Sequence, residues 1–201
     1  MANYNEFKTV VLNETAKNSR GVREELFKKP EKLHLCIGAL TLVNDEKIKA
    51  AIRALQECNE TIIKPIIRRN GPVIIKAQGL WIPIPELDRM VNALNGNVSS
   101  ENNILQELAE RTVNFFVHKG LMVKSREKLR MRIALMNVLF AVDKRNPGAQ
   151  SQQKFHPKNI LMNHRDYFFG ETVLKSIHLS QRGSYSTDGY YTTISKISLV
   201  D

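Results

Sequence analysis

Hydrophobic and polar residues alternate over 33–38, where leucine and isoleucine are interleaved with His34, Cys36 and Gly38. A second apolar stretch follows at 131–140, and its first residues, around Arg132 and Ala134, alternate in the same way. Because successive side chains of a strand point to opposite faces, the pattern predicts two strands. Each would present small or polar side chains on one face.

The rest of the chain shows apolar stripes at helical spacing and short apolar runs bounded by turn residues. Asn44 and the acidic residues after it predict a helix start, and Gly120 predicts a helix end. The predicted elements, in chain order, are a strand at 7–12, a helix from 13 or 15 toward 27, the strand at 33–38, a helix from 44, paired strands at 73–84 and 90–95, a helix over 104–120, strands at 121–123 and 131–140, and a hairpin of 175–182 with 190–199.

The polar stretch from Asp143 to Lys158 contains proline and lacks periodicity, which predicts an exposed loop. Around it, two strand, helix and strand halves follow one another along the chain. This order predicts an α+β fold with one domain over 1–201 and lobes of roughly 1–100 and 101–201.

Charge adds a constraint on the partner. The chain has 201 residues, with 30 Lys and Arg against 20 Asp and Glu, a formal net charge of +10. A surface of this sign favours a polyanion such as nucleic acid, or an acidic protein. Basic residues cluster at 64–69, 124–132 and 144–145. Each cluster has an alternative interpretation as a solvated face.

Several classes of protein do not fit the sequence. The two cysteines, Cys36 and Cys58, give neither a disulfide framework nor metal-ligand spacing, so we expect no metal and no cofactor. No apolar run approaches the roughly 18 residues of a membrane span, and the first residues do not resemble a signal peptide. We therefore expect a nuclear or cytoplasmic protein without membrane contact.

The alternating strand at 33–38 lies in a longer motif, Lys29-Pro30-Glu31-Lys32-Leu33-His34-Leu35-Cys36-Ile37-Gly38, that resembles a His-x-Thr/Ser signature of the 2H phosphoesterase superfamily. Further matches follow in the family's order at 136–140, 168–170 and 176–182. The pattern is most similar to the 2′-5′ RNA ligase-like domains of the activating signal cointegrator and A-kinase anchor protein type.

This resemblance implies a two-lobed, pseudo-symmetric LigT-like fold, with antiparallel sheets flanked by helices around a central groove. It also implies a pair of signature histidines, one acting as general base and the other as general acid, because imidazole titrates near neutral pH. The signature hydroxyls would donate hydrogen bonds to the phosphate.

The second signature departs from the family pattern. An alignment on Met136 and Asn137 puts Arg132 at the second histidine and Ala134 at its threonine, whereas a shift of two residues would put Arg130 there. Arginine stays protonated and cannot act as a base. Alanine offers no donor, and Cys36 in the first signature offers only a weak one. The resemblance thus implies a degenerate site.

The resemblance assigns phosphate binding to His34, Cys36, Arg132 and Ala134, with His34 as the one remaining catalytic candidate. A guanidinium can hold a phosphodiester through two charge-assisted hydrogen bonds. The alternative for Arg132 is a solvated side chain paired with a carboxylate.

Arg130, His178 and Ser180 are candidate groove-lining residues. His178 alternates with Ser180 on one strand face, in a stretch that the family shares. It is either a structural residue or a replacement for the lost histidine.

Three functions follow from this pattern. The first is a noncatalytic domain that binds RNA or a phosphodiester, or scaffolds a nuclear transcription-coregulator or DNA-repair complex through protein partners. The second is a residual 2′,3′-cyclic or 2′-5′ phosphodiesterase that uses His34. The third is a pure protein-interaction module. In the cointegrator type a KH module precedes the domain, and we expect none here, because the first predicted strand begins at Phe7.

Overall fold

The computed structural model describes residues 2–18, 21–83, 87–123, 129–141 and 154–200. The chain divides into two compact units. Unit 1 comprises Met1–Leu35, Ala77–Val98 and Arg132–Gly170, and unit 2 comprises Cys36–Lys76, Ser99–Met131 and Glu171–Asp201. The predicted lobes of 1–100 and 101–201 stay a prediction.

Helices and antiparallel strands both contribute to the fold, which confirms the predicted α+β class. The helices are α1 (Ala2–Asn18), α2 (Asp45–Cys58), α3 (Lys64–Asn70), α4 (Ile104–His118) and α5 (Lys158–His164). The strands are β1 (Ile74–Trp81), β2 (Ala93–Ser100), β3 (Arg132–Asn137), β4 (Phe168–Val173), β5 (Ser176–Tyr185) and β6 (Tyr191–Ser198). One sheet has the order β3-β2-β1-β4, and β5 pairs with β6 in a second.

The first element is a helix, so the predicted strand at 7–12 is wrong. Tyr4, Phe7 and Val11 are buried in unit 1 at 3%, 0% and 0% exposure. Their spacing of three and four residues is that of one helix face. The helical period is not obvious in the sequence, because the polar residues Asn5 and Glu6 lie between Tyr4 and Phe7. The apolar run around Val11 therefore favoured a strand.

The predicted helix from 13 or 15 toward 27 is also wrong, because α1 ends at Asn18 and, within the described residues 21–27, helical structure is limited to a 3₁₀ turn at Glu24–Leu26. Gly21 has a φ of +82°, and a Cβ there would lie 2.5 Å from the carbonyl oxygen of Lys154. Glycine alone fits this conformation and this contact, so the chain turns at that residue.

Three further predictions need correction. Residues 121–123 form no strand, because the chain bends after the end of α4. The stretch at 33–38 is no continuous strand, and it pairs only through Leu35, as an isolated bridge to Ile133. In the predicted exposed loop, residues 143–153 lie outside the described part, and Phe155 is fully buried. Its backbone pairs with that of Val91, a contact that no local periodicity signals.

Most of the remaining elements are confirmed. The side chain of Asn44 accepts a hydrogen bond from the backbone of Lys47 and caps α2, as predicted. Gly120 has a φ of +67° and follows the end of α4. A π-helical turn, Asn59–Ile63, joins α2 to α3. The predicted hairpin forms from β5 and β6.

Unit 1 has its core on one face of the strands, under α1 and α5. The buried members are Tyr4, Phe7, Val11, Leu26, Phe27, Leu80, Ile82, Val91, Leu94, Leu135, Met136, Phe155, Ile160 and Leu161. Phe7 is edge-on to Phe169 at a centroid distance of 5.1 Å, so α1 packs directly on an aromatic side chain of β4. In unit 2, α2 packs against α4 and against β6.

A β-bulge interrupts β3 in unit 1. Leu94 pairs with Met136 and Asn95 with Ala134, so Leu135 is the extra residue. The carbonyl of Leu135 accepts the backbone N–H of Lys28 at 2.8 Å. A residue that the ladder leaves unpaired therefore holds the segment that leads to His34.

The hydroxyl of Tyr4 donates to the carbonyl of Lys28 at 2.6 Å, and it also lies 3.2 Å from the carbonyl of Leu135. Burial raises the pKa of Tyr4, so the phenol stays protonated and acts as a donor. Through one side chain, α1 thus contacts both the bulge and the segment before the first signature.

We expect Tyr4→Phe to destabilise the protein by about 1 to 3 kcal/mol, because the substitution leaves a buried carbonyl without its donor. Urea denaturation followed by circular dichroism measures the change.

The matched control is Tyr185→Phe, which removes a hydroxyl from a ring that is 43% exposed. Its effect should stay within about 0.5 kcal/mol. Equal losses in the two variants would contradict the structural role of Tyr4.

Candidate functional site

The strands of unit 1 carry polar side chains on the face opposite the core. The antiparallel bridge between Leu35 and Ile133 sets His34 beside Ala134 by register. Asn95 is the partner of Ala134 on the other neighbouring strand. His34, Ala134 and Asn95 therefore form one row across three extended segments, on the same side of them.

Arg132 lies on the same face, two residues before Ala134, and its cross-strand partner is Asn97. Its guanidinium carbon is 4.7 Å from the ring centroid of Trp81, an arrangement that allows cation–π attraction. Within the described ranges Arg132 is exposed and forms no salt bridge. Its alternative as a carboxylate-paired arginine thus finds no support in these residues.

His34 is half-buried in unit 1, and its Nδ1 lies 2.7 Å from the carbonyl oxygen of Lys32. A carbonyl can only accept, so Nδ1 carries the hydrogen and the neutral ring has its lone pair on Nε2. Burial lowers the pKa of His34, the positive charge of Lys28 lowers it further, and the bond to Lys32 acts in the opposite direction. The ring is therefore neutral at pH 7.

Lys28 is a site residue that the sequence analysis missed. Only 9% of this residue is exposed, and its ammonium lies 4.6 Å from the ring centroid of Phe140. Its charge acts on His34, so the ammonium and the imidazole are neighbours. We call the set Lys28, His34, Asn95, Asn97, Arg132 and Ala134 the polar face.

The polar face combines permanent positive charge with neutral hydrogen-bonding groups. Lys28 and Arg132 supply the charge, while His34 can accept or donate a single proton near neutral pH. A second imidazole beside His34 is missing from this set, and arginine does not give up its proton. The arrangement suits the binding of a phosphate more than its cleavage.

The other predicted site residues belong to unit 2. Nε2 of His178 lies 2.8 Å from the hydroxyl oxygen of Ser176, and its ring is edge-on to Tyr190 at 5.6 Å. Burial lowers the pKa of His178, with a smaller contribution from the charge of Lys196. The imidazole thus has structural partners on its own hairpin.

Cys36 and Ser180 also lie near Tyr190 within unit 2. Burial raises the pKa of Tyr190; Ser180 lowers it, and Cys36 adds a small upward effect. The thiol of Cys36 is exposed and lies 3.4 Å from the carbonyl of Gly38. Arg130 is exposed in the same unit.

The structure therefore groups His34, Arg132 and Ala134 in unit 1, and Cys36, His178 and Ser180 around Tyr190 in unit 2. Asn95 could not be found from sequence because it is the last residue of the predicted strand over 90–95, and no local pattern shows that Ala134 lies opposite it. One sequence feature could have identified Trp81 as a site residue, since it is the single tryptophan of the chain and occupies a strand.

Two of the basic clusters fall partly or wholly outside the described residues, namely 124–128 of the middle cluster and 144–145. In the remaining one, Lys64 pairs with Glu60, and Arg69 pairs with Glu107 at 2.9 Å. Part of the cluster at 64–69 is therefore a solvated, ion-paired face.

The described residues contain no group of three or more histidine, cysteine or acidic side chains that could hold a metal ion. Across the same ranges, every helix is too short or too polar to cross a membrane.

Among solved structures, the chain is similar to that of TT0787 from Thermus thermophilus, with a TM-score of 0.53 and 15% sequence identity. The match covers 97% of this chain and 92% of the other. At this identity the likeness shows the fold alone, and it agrees with the predicted LigT-like, two-lobed architecture.

Among curated proteins, activating signal cointegrator 1 complex subunit 1 from Mus musculus is 30% identical to this chain over an alignment of 201 residues. The alignment covers 93% of this chain. The match spans 56% of the relative, or about half of its length. The family model of the AKAP7 2′5′ RNA ligase-like domain matches residues 1–199. A match over nearly every residue places this chain in the AKAP7 2′5′ RNA ligase-like domain family and confirms the predicted membership of the 2H phosphoesterase superfamily.

Proposed function

We propose that this protein is a catalytically degenerate 2H phosphoesterase-like domain that binds RNA through a backbone phosphodiester on the polar face. The observation that carries the proposal is the placement of Arg132 beside the row that contains His34, without a salt bridge in the described part of the chain. A phosphate is the ligand that this arrangement fits best.

Arg132 is oriented before any ligand arrives. Its guanidinium lies over the ring of Trp81, which limits the freedom of a long side chain and leaves the N–H edge for hydrogen bonding. Binding then loses less side-chain entropy than binding by a freely moving arginine. The nearby ammonium of Lys28 adds positive potential.

Cleavage of a phosphodiester by a pair of general catalysts needs both a base and an acid. His34 can fill one role, but Arg132 cannot fill the other. Ala134 lacks the hydroxyl that would donate to the phosphate. The loss of one general catalyst reduces the rate by a factor of about 10² to 10⁴. This deficit supports a binding role.

The relative from Mus musculus is named as a subunit of an activating signal cointegrator complex, and this supports protein partners for our chain. We therefore include a scaffolding role in a transcription-coregulator or DNA-repair complex, with a nuclear or cytoplasmic location. A pure interaction module is the version of this proposal in which the polar face has no ligand.

We expect Arg132→Ala to weaken binding of a short single-stranded RNA about tenfold or more, because a charge-assisted hydrogen bond contributes about 1.5 to 3 kcal/mol. The slope of log Kd against log salt should fall by about 0.7, the value for one phosphate contact on a single strand. Filter binding over a salt series measures both quantities.

Arg182→Ala is the matched control, since Arg182 is an exposed arginine of unit 2 and its loss changes the net charge equally. An equal, small loss in both variants would indicate nonspecific attraction by net charge and contradict the proposed site. Protein binding without any RNA affinity at low salt would favour the interaction module.

A residual phosphodiesterase is the second candidate, and the state of His34 favours it. The bond from Nδ1 to the carbonyl of Lys32 fixes the tautomer, and the lowered pKa keeps the base form populated at neutral pH. His34 would then activate water, while Arg132 stabilises charge on the phosphate.

If this activity exists, purified protein should turn over a 2′,3′-cyclic nucleotide monophosphate slowly, and His34→Ala should abolish the turnover. Because the pKa of His34 is lowered, the rate should stay high as the pH falls to 6.5 and decline only below it. Product chromatography across a pH series tests this. Turnover that survives His34→Ala would point to a contaminating nuclease.

A further inference from the structure

Asn95 is a buried polar residue in the middle of the polar face, and only 7% of it is exposed. Its cross-strand partner is Ala134, and the next residue in the row is His34. In the described part of the chain, the side-chain amide of Asn95 forms no hydrogen bond with the protein, and its oxygen and nitrogen are not among the fully enclosed unpaired atoms, so the amide reaches the surface of the polar face.

Because no protein group bonds this amide, its hydrogen bonds go to water or to a ligand at the polar face. Asparagine is also a poor strand former, so neither packing nor local propensity explains its presence in β2. The other side of the strand shows ordinary core packing, since Gly96 approaches Leu135 and Phe169. The polar side chain is therefore explained best by a ligand.

The contact with Ala134 gives Asn95 room to reach that ligand. Directly opposed residues on neighbouring strands have their Cβ atoms about 4.5 to 5.5 Å apart. The side chain of alanine ends at its Cβ atom and extends no further. The bulge at Leu135 lies next to this pair and changes the local direction of β3. An amide from β2 can thus occupy the space that a larger residue at 134 would fill.

We propose that Asn95 donates a hydrogen bond from its side-chain NH₂ to a nonbridging oxygen of the phosphate held by Arg132, in place of a hydroxyl at position 134. The inference rests on the proposed function and deepens it. An amide carries two N–H donors and no charge, so Asn95 complements Arg132. It contributes geometry to phosphate recognition without adding electrostatic attraction.

The absence of charge gives Asn95 a different thermodynamic signature from Arg132. A neutral donor releases no counterion, so its removal should weaken RNA binding without changing the salt slope. We expect Asn95→Ala to weaken binding of a radiolabelled hexauridylate by roughly tenfold, because a hydrogen bond to a charged group is involved. The salt slope should stay equal to that of the wild type.

The matched control is Asn92→Ala, which removes an exposed asparagine just before β2 and should leave binding unchanged. Asn95→Asp keeps the shape of the side chain but replaces the donor with a negative charge. We therefore expect a larger loss of affinity than in Asn95→Ala. Circular dichroism of each variant verifies that it is folded.

Restoring the hydroxyl provides the decisive comparison. If Asn95 replaces a donor at position 134, Ala134→Thr introduced into Asn95→Ala should recover most of the lost affinity. The same substitution in the wild type should gain much less, because the phosphate oxygen already has a donor. This coupling distinguishes a ligand contact from a purely structural role, which a threonine at position 134 would not restore.

The outcomes separate this inference from the proposed function. Loss of binding in Arg132→Ala, together with unchanged binding in Asn95→Ala and Asn95→Asp, would overturn the role of Asn95 and leave the phosphate site intact. Unchanged binding in all three variants would overturn both. If Asn95→Ala unfolds, an affinity of the folded Asn95→Asp equal to that of the wild type would likewise overturn the inference.

Discussion

The antiparallel contact between Leu35 and Ile133 fixes the geometry on which the rest of the site depends. It sets the first signature segment against the free edge of β3 and so gives His34 its neighbours on the polar face. The bulge at Leu135 supports the same edge, because its carbonyl accepts the backbone of Lys28. Tyr4 then connects this edge to α1, so the packing of the first helix determines how precisely the side chains of the polar face are held.

The sequence could predict features that have a local period. Alternation assigned His34, Arg132 and Ala134 to one side of their segments, and the register places them on one face. The first helix was missed because polar residues separate Tyr4 from Phe7, so the buried face of the helix forms no obvious stripe in the sequence. Asn95 was missed because it is the last residue of the predicted strand over 90–95, and only the pairing of β2 with β3 shows that it lies opposite Ala134. Lys28 had no local signal, since only the tertiary structure brings its ammonium to His34.

Arg132 stands where the family pattern has a histidine, and this difference determines whether binding energy raises affinity or rate. A permanent positive charge attracts a phosphate in the ground state as well as in a transition state, and uniform attraction of this kind raises affinity without raising the rate. Lys28 and burial keep the remaining imidazole neutral, so the positive charge of the polar face stays on Lys28 and Arg132. In the proposed function, the fold serves as a receptor for phosphate, with specificity determined by neutral donors and by shape.

The stacking of Arg132 on Trp81 has a practical consequence for the molecule. Since the chain has a single tryptophan, the whole of its indole emission comes from this position. Any molecule that draws the guanidinium away from the ring changes the surroundings of that fluorophore. The protein therefore contains an intrinsic optical probe of the proposed phosphate site, and the unmodified chain can report occupancy in solution.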